Sequence, residues 1–200
     1  MSSDTTTIAA YSKAAQDYAN GFARKKNAEQ DLDMTGFLAL VPDGGRILDL
    51  GCGPGHWAAT FKDAGFMVDA TDATPEMADL ALERYGIKVR VEHFDALEAV
   101  AEYDGVWANF SLLHASRTEF PAHLTRIHRA LRPGGALSLG MKLGTGEGRD
   151  RLGRFYTYYT QNELTGLVTA AGFTVIQTRR GNGAGLAGGV ETFMVLTAHA

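Results

Sequence analysis

The chain has 200 residues, 45% of them hydrophobic, with 19 Lys and Arg against 23 Asp and Glu and a formal net charge of -4. That is enough apolar side chain for one full core, so a single domain over 1–200 is expected, and the charge balance lacks the basic footprint of a binder of long nucleic acid. No apolar run approaches the about 18 to 20 residues that cross a bilayer, the polar start Met1–Thr7 has no basic-then-apolar leader, Cys52 has no partner for an internal disulfide, and the histidines lack paired zinc spacing, which together point to a cytoplasmic protein without a metal.

Apolar positions at helical spacing predict amphipathic helices over about 8–20 and 32–40, a cap (1–44) ahead of a core (45–200). Short apolar runs at 46–50, 67–71, 88–92, 103–108 and 136–141 read as strands of a parallel sheet buried on both faces. Helices at 57–63, 75–84, 119–130 and 162–171 alternate with them through right-handed crossovers, which gives an α/β class. Thr74 and Pro75 mark one helix start, as N-cap and first helical residue. The last two strands fall at 173–179 and 191–198, and the glycine-rich stretch 181–189 between them reads as a mobile loop.

The first strand carries an oddity. Asp49 sits inside an apolar run directly before Gly51, Gly53 and Gly55. A buried carboxylate is costly unless something compensates it, and closely spaced glycines let backbone approach a ligand that side chains would block. The dinucleotide pattern G-x-G-x-x-G needs a small residue where His56 stands, which disfavours a nicotinamide cofactor. Asp72 closes the second strand roughly 20 residues past the glycine turn, where a nucleotide-binding βαβ unit places the acid that accepts hydrogen bonds from ribose hydroxyls.

Taken in order, Asp49–Gly55, Phe66–Asp72, Phe94-Asp95-Ala96, Tyr103–Asn109 and Leu131–Gly135 resemble five motifs of the class I S-adenosyl-L-methionine (SAM) dependent methyltransferases. Over nearly its whole length the chain is similar to small bacterial methyltransferases grouped with the tellurite-resistance type. The resemblance implies a doubly wound, Rossmann-like sheet of seven strands in the order 3-2-1-4-5-7-6, the last antiparallel, with SAM as cofactor. It implies that Asp49 meets the cofactor's amino group and that Gly51, Cys52, Gly53, Gly55 and His56 surround its methionine end near a helix N-terminus. Asp72 takes the ribose diol beside Ala73 and Met77, Phe94, Asp95 and Ala96 face the adenine, and Tyr11 and Asn109 complete the cofactor site. Each acid has a plainer alternative: a local turn cap for Asp49, a solvated turn acid for Asp72, a helix N-cap for Asp95.

The implied chemistry is in-line displacement of a methyl group onto an acceptor, where positioning supplies much of the acceleration and a strong base is not required. His114, just after the fourth strand, is either a general base or a residue that bonds the turn or packs on the adenosine. Tyr18, His114, Lys142, Arg154 and Tyr156 form the expected acceptor wall, and an arginine there favours an acceptor bearing a carboxylate. Asn109-Phe110-Ser111-Leu112 lacks the Asn/Asp-Pro-Pro-aromatic motif that resembling enzymes use on nucleobase and glutamine nitrogens. No basic stretch flanks an apolar face, which disfavours lipid acceptors, and a small-molecule acceptor remains. Two rivals stay open: a SAM-binding regulatory or assembly protein that does not catalyse, and a nicotinamide oxidoreductase.

Overall fold

The computed structural model describes residues 4–21 and 28–200, so the first three residues of the polar start lie outside the described residues. Helix α1 (Thr5–Gly21) and α2 (Ala28–Leu38) precede β1 (Arg46–Leu50), α3 (His56–Asp63), β2 (Met67–Asp72), α4 (Pro75–Tyr85), β3 (Val89–Val91) and β4 (Tyr103–Asn109). Then come α5 (Phe120–Ala130), β5 (Leu131–Lys142), a hairpin of β6 (Glu147–Arg149) and β7 (Phe155–Thr157), α6 (Gln161–Ala170), β8 (Thr174–Ala184) and β9 (Val190–His199). The main sheet has seven strands in the order β3-β2-β1-β4-β5-β9-β8, and β9 runs antiparallel to both its neighbours. Numbered within this sheet alone, that is the expected 3-2-1-4-5-7-6.

The strand pattern follows from burial on both sides. Ile47 packs with Phe37, Phe61 and Trp107 on one face, while its neighbour Leu48 joins Val106, Leu137 and Leu139 in the larger cluster on the other. Side chains alternate across a strand, so a central strand covered by helices must be apolar at every position. Asp49 is the exception among the buried positions of β1, and it lies next to the carboxyl end of the strand. Leu48 is fully buried, and its truncation to Ala belongs to the class of change that costs about 2 to 5 kcal/mol.

Three features differ from the sequence expectation. The stretch 142–160 folds back as the β6–β7 hairpin, too short and too charged to register as strands. The glycine-rich stretch 181–189 is a shorter loop than expected, since β8 and β9 stay paired as far as Ala184 and Val190 and only 185–189 connect them. Gly181 serves packing: a Cβ there would stand 2.5 Å from the Phe193 ring across the ladder. Thr74 does stand at the N-cap of α4, but its side chain makes no cap bond. Asp72 instead accepts the Thr74 N–H at 2.8 Å.

The cap is fastened to the later strands by named polar contacts. The Phe155 N–H donates to Thr7 Oγ1 at 2.8 Å, and Arg149 donates to Asp4 at the head of α1. Arg179 of β8 grips Glu29 and Asp33 of α2. Tyr11 and Tyr18 of α1 thereby come to the carboxyl ends of the strands, beside His114 and Gly53, while α2 packs Phe37 on the sheet face against Ile47 and Trp107. Among the described residues no helix is long and apolar enough to cross a membrane.

Candidate functional site

A cavity of about 420 Å³ opens at that carboxyl edge, within the usual range for a small-ligand site. Its first half is the β1–α3 turn. Gly51 has φ 75°, and a Cβ there would lie 2.4 Å from Ser111 Cβ, so only glycine fits. The Ser111 hydroxyl donates to the Leu50 carbonyl at 2.6 Å, which holds β4 against this turn. Gly53, at φ 55°, faces open space as far as the Tyr18 ring, which would stand 3.8 Å from a Cβ at this position, so the cavity comes right up to its backbone.

Two acids stand at this end. Asp72 accepts the Gly53 N–H at 2.9 Å with one oxygen and the Thr74 N–H with the other. Asp49 is buried and hydrogen-bonded by the Ala58 amide in the first turn of α3, yet its Oδ2 has no partner. Burial, with the Asp72 charge nearby, pushes its carboxyl up to about 8. His56 Nδ1 is likewise buried without a partner, and burial draws that imidazole down to about 4. Buried polar atoms are normally satisfied, so an orphaned carboxylate oxygen in a cavity wall marks a place for a donor from outside the chain.

The other half is a directed hydrogen-bond chain. His114 Nδ1 lies 2.6 Å from the Phe155 carbonyl, which can only accept, so the proton sits on Nδ1. Burial, with Arg154 and Lys142 nearby, draws this imidazole down to about 3, so its Nε2 is bare and accepts from the Tyr11 hydroxyl at 2.8 Å. Tyr11 Oη in turn accepts from Arg154 Nη1 at 3.0 Å. Nitrogen-resolved NMR is expected to show His114 as the neutral Nδ1–H tautomer with no titration from pH 8 down to 5. A midpoint in that window would refute the assignment.

Both cations of the expected acceptor wall carry their own counter-ions. Arg154 donates through Nε and Nη2 to Asp150 Oδ2 at 2.9 and 2.6 Å, with the Tyr11 and Tyr156 rings beside its guanidinium. Lys142 pairs with Glu191 and lies 3.7 Å from the centre of the Tyr156 ring. The expectation of an arginine open to a carboxylate is therefore corrected, because the guanidinium fork already holds one.

Most of the residues singled out from sequence meet in this one space: Tyr11, Tyr18, Asp49, Gly51, Cys52, Gly53, His56, Asp72, Met77, Asn109, His114, Lys142, Arg154 and Tyr156 all line it. Five do not. Gly55 starts α3 at φ 80°, and a Cβ there would meet Ala81 at 2.7 Å, so its role is packing α3 on α4. Ala73 and Phe94 are turned into the core, while Asp95 and Ala96 are exposed on a one-turn helix. Sequence reasoning missed Trp57, Phe110, Glu191, Phe193 and the hairpin tip 182–186, all of which line the cavity. Glu191 and Phe193 reach it only because β9 inserts between β5 and β8, a pairing that no local pattern announces.

SAM presents a cationic amino group, a carboxylate, a ribose diol and a sulfonium, and the first half of the cavity offers a match in kind. Asp49 Oδ2 lacks a donor, open space borders the backbone at Gly53, and Asp72 is fixed by two amides. The residues present therefore fit this cofactor.

Residues 47–135 match a family model described as a methyltransferase domain. A malonyl-[acyl-carrier protein] O-methyltransferase of Pseudescherichia vulneris is 29% identical over 136 residues, 65% of this chain and 51% of that protein. The chain thus spans about half the length of the curated relatives it matches. The solved structure of Burkholderia thailandensis 1,6-didemethyltoxoflavin-N1-methyltransferase, holding 1,6-didemethyltoxoflavin and S-adenosylhomocysteine, superposes with a TM-score of 0.79 at 26% identity, over 97% of this chain and 87% of that one. A TehB-like SAM-dependent methyltransferase from Corynebacterium glutamicum shares the fold with a TM-score of 0.69 at 18% identity, covering 95% and 98% of the two chains. Motif order, sheet topology and a fitting cofactor pocket agree with these likenesses: residues 47–135 match a methyltransferase domain, and the chain shares the fold of the SAM-dependent methyltransferases it resembles.

Proposed function

We propose that this protein transfers the methyl group of SAM to a small-molecule acceptor held in the second half of the cavity, as a single cytoplasmic unit in which residues 1–44 cap a cofactor-binding core of 45–200. The observation that carries the reading is the orphaned Asp49 Oδ2 in the same cavity as the Arg154–Tyr11–His114 chain. In it, Asp49 holds the amino group of the cofactor, the Gly51–Gly53 backbone its methionine end, and Asp72 its ribose. When bound, SAM supplies an electrophilic methyl group. Tyr11, Tyr18, Phe110 and Tyr156 exclude water from the reacting centre, and their ring faces tolerate the neighbouring cation. Arg154 fixes the Tyr11 hydroxyl, whose proton points at His114 Nε2.

The similar proteins support a small acceptor. One is named for malonyl-[acyl-carrier protein], and another is solved with 1,6-didemethyltoxoflavin. The test is release of S-adenosylhomocysteine from SAM across a panel of small-molecule acceptors. Acceptor-dependent release is expected. Tight SAM binding without release from any acceptor would favour a regulatory or assembly role instead.

Asp49 also gives binding a pH signature. With its carboxyl near 8 in the free protein, most of it is protonated at pH 7, whereas the cationic amino group favours the carboxylate. Binding must then release a proton, and SAM affinity should rise between pH 6 and 8 by up to about tenfold per unit. Calorimetry in buffers of different ionisation heat reads the proton count, which should fall to near zero in Asp49→Asn.

A further inference from the structure

Methyl transfer to a small molecule leaves open what shape of acceptor the cavity takes, and one residue of its wall is held in an unfavourable backbone conformation. Among the described residues, two other than glycine stand in the left-handed region, Ala101 at φ 47° and Phe110 at φ 57°. Ala101 is an exposed loop residue, whereas Phe110 lines the cavity. A bulky residue at positive φ is a genuine outlier, and such conformations persist only where their surroundings hold them. Glycine would take this turn without strain, so what phenylalanine adds at this position is its ring.

The surroundings hold that ring from several sides. The Phe110 N–H donates to the Gly140 carbonyl at 3.1 Å. Gly140 of β5 also makes the room, because a Cβ there would stand 2.8 Å from Asn109 Oδ1, 3.0 Å from the Phe110 nitrogen and 3.3 Å from its ring. The Phe193 ring of β9 meets the Phe110 ring edge to face, at 5.3 Å between centres and 87° between planes. Phe193 is fixed in turn by the close approach of Gly181 and by the Arg179 guanidinium, 5.4 Å from its centre. The chain on either side of Phe110 sets its location. Asn109 pairs with Gly140 on β5, the strand that ends in Lys142, and the Ser111 hydroxyl bonds the Leu50 carbonyl of β1 at the glycine turn. Phe110 therefore stands where the cofactor half of the cavity meets the acceptor half. Two rings fixed at a right angle form a corner, and a flat unsaturated body fills it best, lying along one ring face with its edge to the other.

We infer that Phe110 is a specificity-determining residue, whose ring is the platform on which a flat, unsaturated acceptor lies beside the methyl donor. This inference rests on the methyl-transfer reading and deepens it by naming the acceptor's shape class, an aromatic or conjugated ring. The left-handed turn is what carries the ring out of the line of β4 and into the cavity wall.

The test uses two uncharged probes of similar size on the full chain, benzyl alcohol with a flat ring and cyclohexylmethanol with a puckered one. Each is titrated by NMR at pH 7.5 into protein saturated with S-adenosylhomocysteine, in the parent, in Phe110→Leu and in Phe110→Gly. Phe110→Leu keeps apolar bulk without a ring face, Phe110→Gly also relieves the backbone, and comparing ratios between proteins cancels the different hydrophobicity of the probes. The affinity for benzyl alcohol relative to cyclohexylmethanol should fall about two- to tenfold in both variants, the amount one aromatic pair adds beyond its buried area. Phe110→Gly should also unfold at a higher temperature than Phe110→Ala, the reverse of the usual order, because only the alanine keeps a Cβ in the left-handed region. A ratio unchanged in either folded variant, no saturable benzyl alcohol binding in the parent, or a Phe110→Ala that melts above Phe110→Gly overturns the inference. A folded Phe110→Leu that no longer binds S-adenosylhomocysteine overturns it too, by giving the ring to the cofactor. Failure of S-adenosylhomocysteine to bind the parent is a separate result, and it counts against the methyl-transfer reading.

Discussion

Replacing Asp72 by Ala is expected to weaken SAM binding about 10- to 100-fold, which calorimetry would read directly. The carboxylate is buried at the end of β2 and fixed by the Gly53 and Thr74 amides, so it is oriented before any ligand arrives. A hydrogen bond to a charged group is worth about 1.5 to 3 kcal/mol, and each tenfold in affinity is about 1.4 kcal/mol. The substitution also leaves two buried amides without an acceptor, at about 1 to 3 kcal/mol apiece, so thermal stability should fall as well. Asp72→Asn keeps an acceptor oxygen for one of those amides and should recover much of the stability while recovering less of the affinity. Unchanged SAM affinity in Asp72→Ala would remove the ribose assignment.

The second large effect separates two glycines of the same turn. In Gly51→Val the new Cβ would lie 2.4 Å from Ser111 Cβ on a backbone at φ 75°, with the Phe94 ring 3.6 Å away. Overpacking of about 1 to 3 kcal/mol adds to strain of about 1 to 3 kcal/mol for a left-handed branched residue. The variant should lose a large part of its folding stability, visible as a drop in midpoint temperature. In Gly53→Val the nearest atom to the Cβ is the Tyr18 ring at 3.8 Å, so only the backbone strain remains, at φ 55°. That variant should stay folded and lose SAM, because the valine methyls occupy the space over the turn. Equal melting points for the two variants would contradict this division between packing and binding.

Much of the fold was legible because it follows local rules. The strands β1, β2 and β4 are short, mainly apolar runs, and Pro75 starts α4 just after Asp72 ends β2. The cofactor half of the cavity was legible for a related reason: an acid inside a buried strand and three spaced glycines violate those rules, and such violations collect at sites. The acceptor half was not legible. Lys142 could be suspected of facing a ligand, but its pairing with Glu191 depends on β9 entering antiparallel between β5 and β8. Arg154 is expected from the sequence to favour an acceptor's carboxylate, but the β6–β7 hairpin folds it against Asp150, four residues earlier. His114 was identified as the notable histidine, yet its tautomer depends on the Phe155 carbonyl, 41 residues away. Asp95 fits the family motif by order alone, and its exposed position on a short turn was decided by the packing of Phe94 beneath it.

The central claim is that one cavity holds SAM by Asp49 and Asp72 with its sulfur directed toward the Tyr11, His114 and Tyr156 cluster. A crystal structure of the protein with S-adenosylhomocysteine tests it most directly. The predicted result places the ligand's amino group on Asp49 Oδ2, its ribose hydroxyls on Asp72, and its sulfur facing the Tyr156 side, with room for a flat acceptor between them. A ligand seated elsewhere, or one whose sulfur is walled off from Tyr11 and Tyr156 by the hairpin tip 182–186, would contradict it.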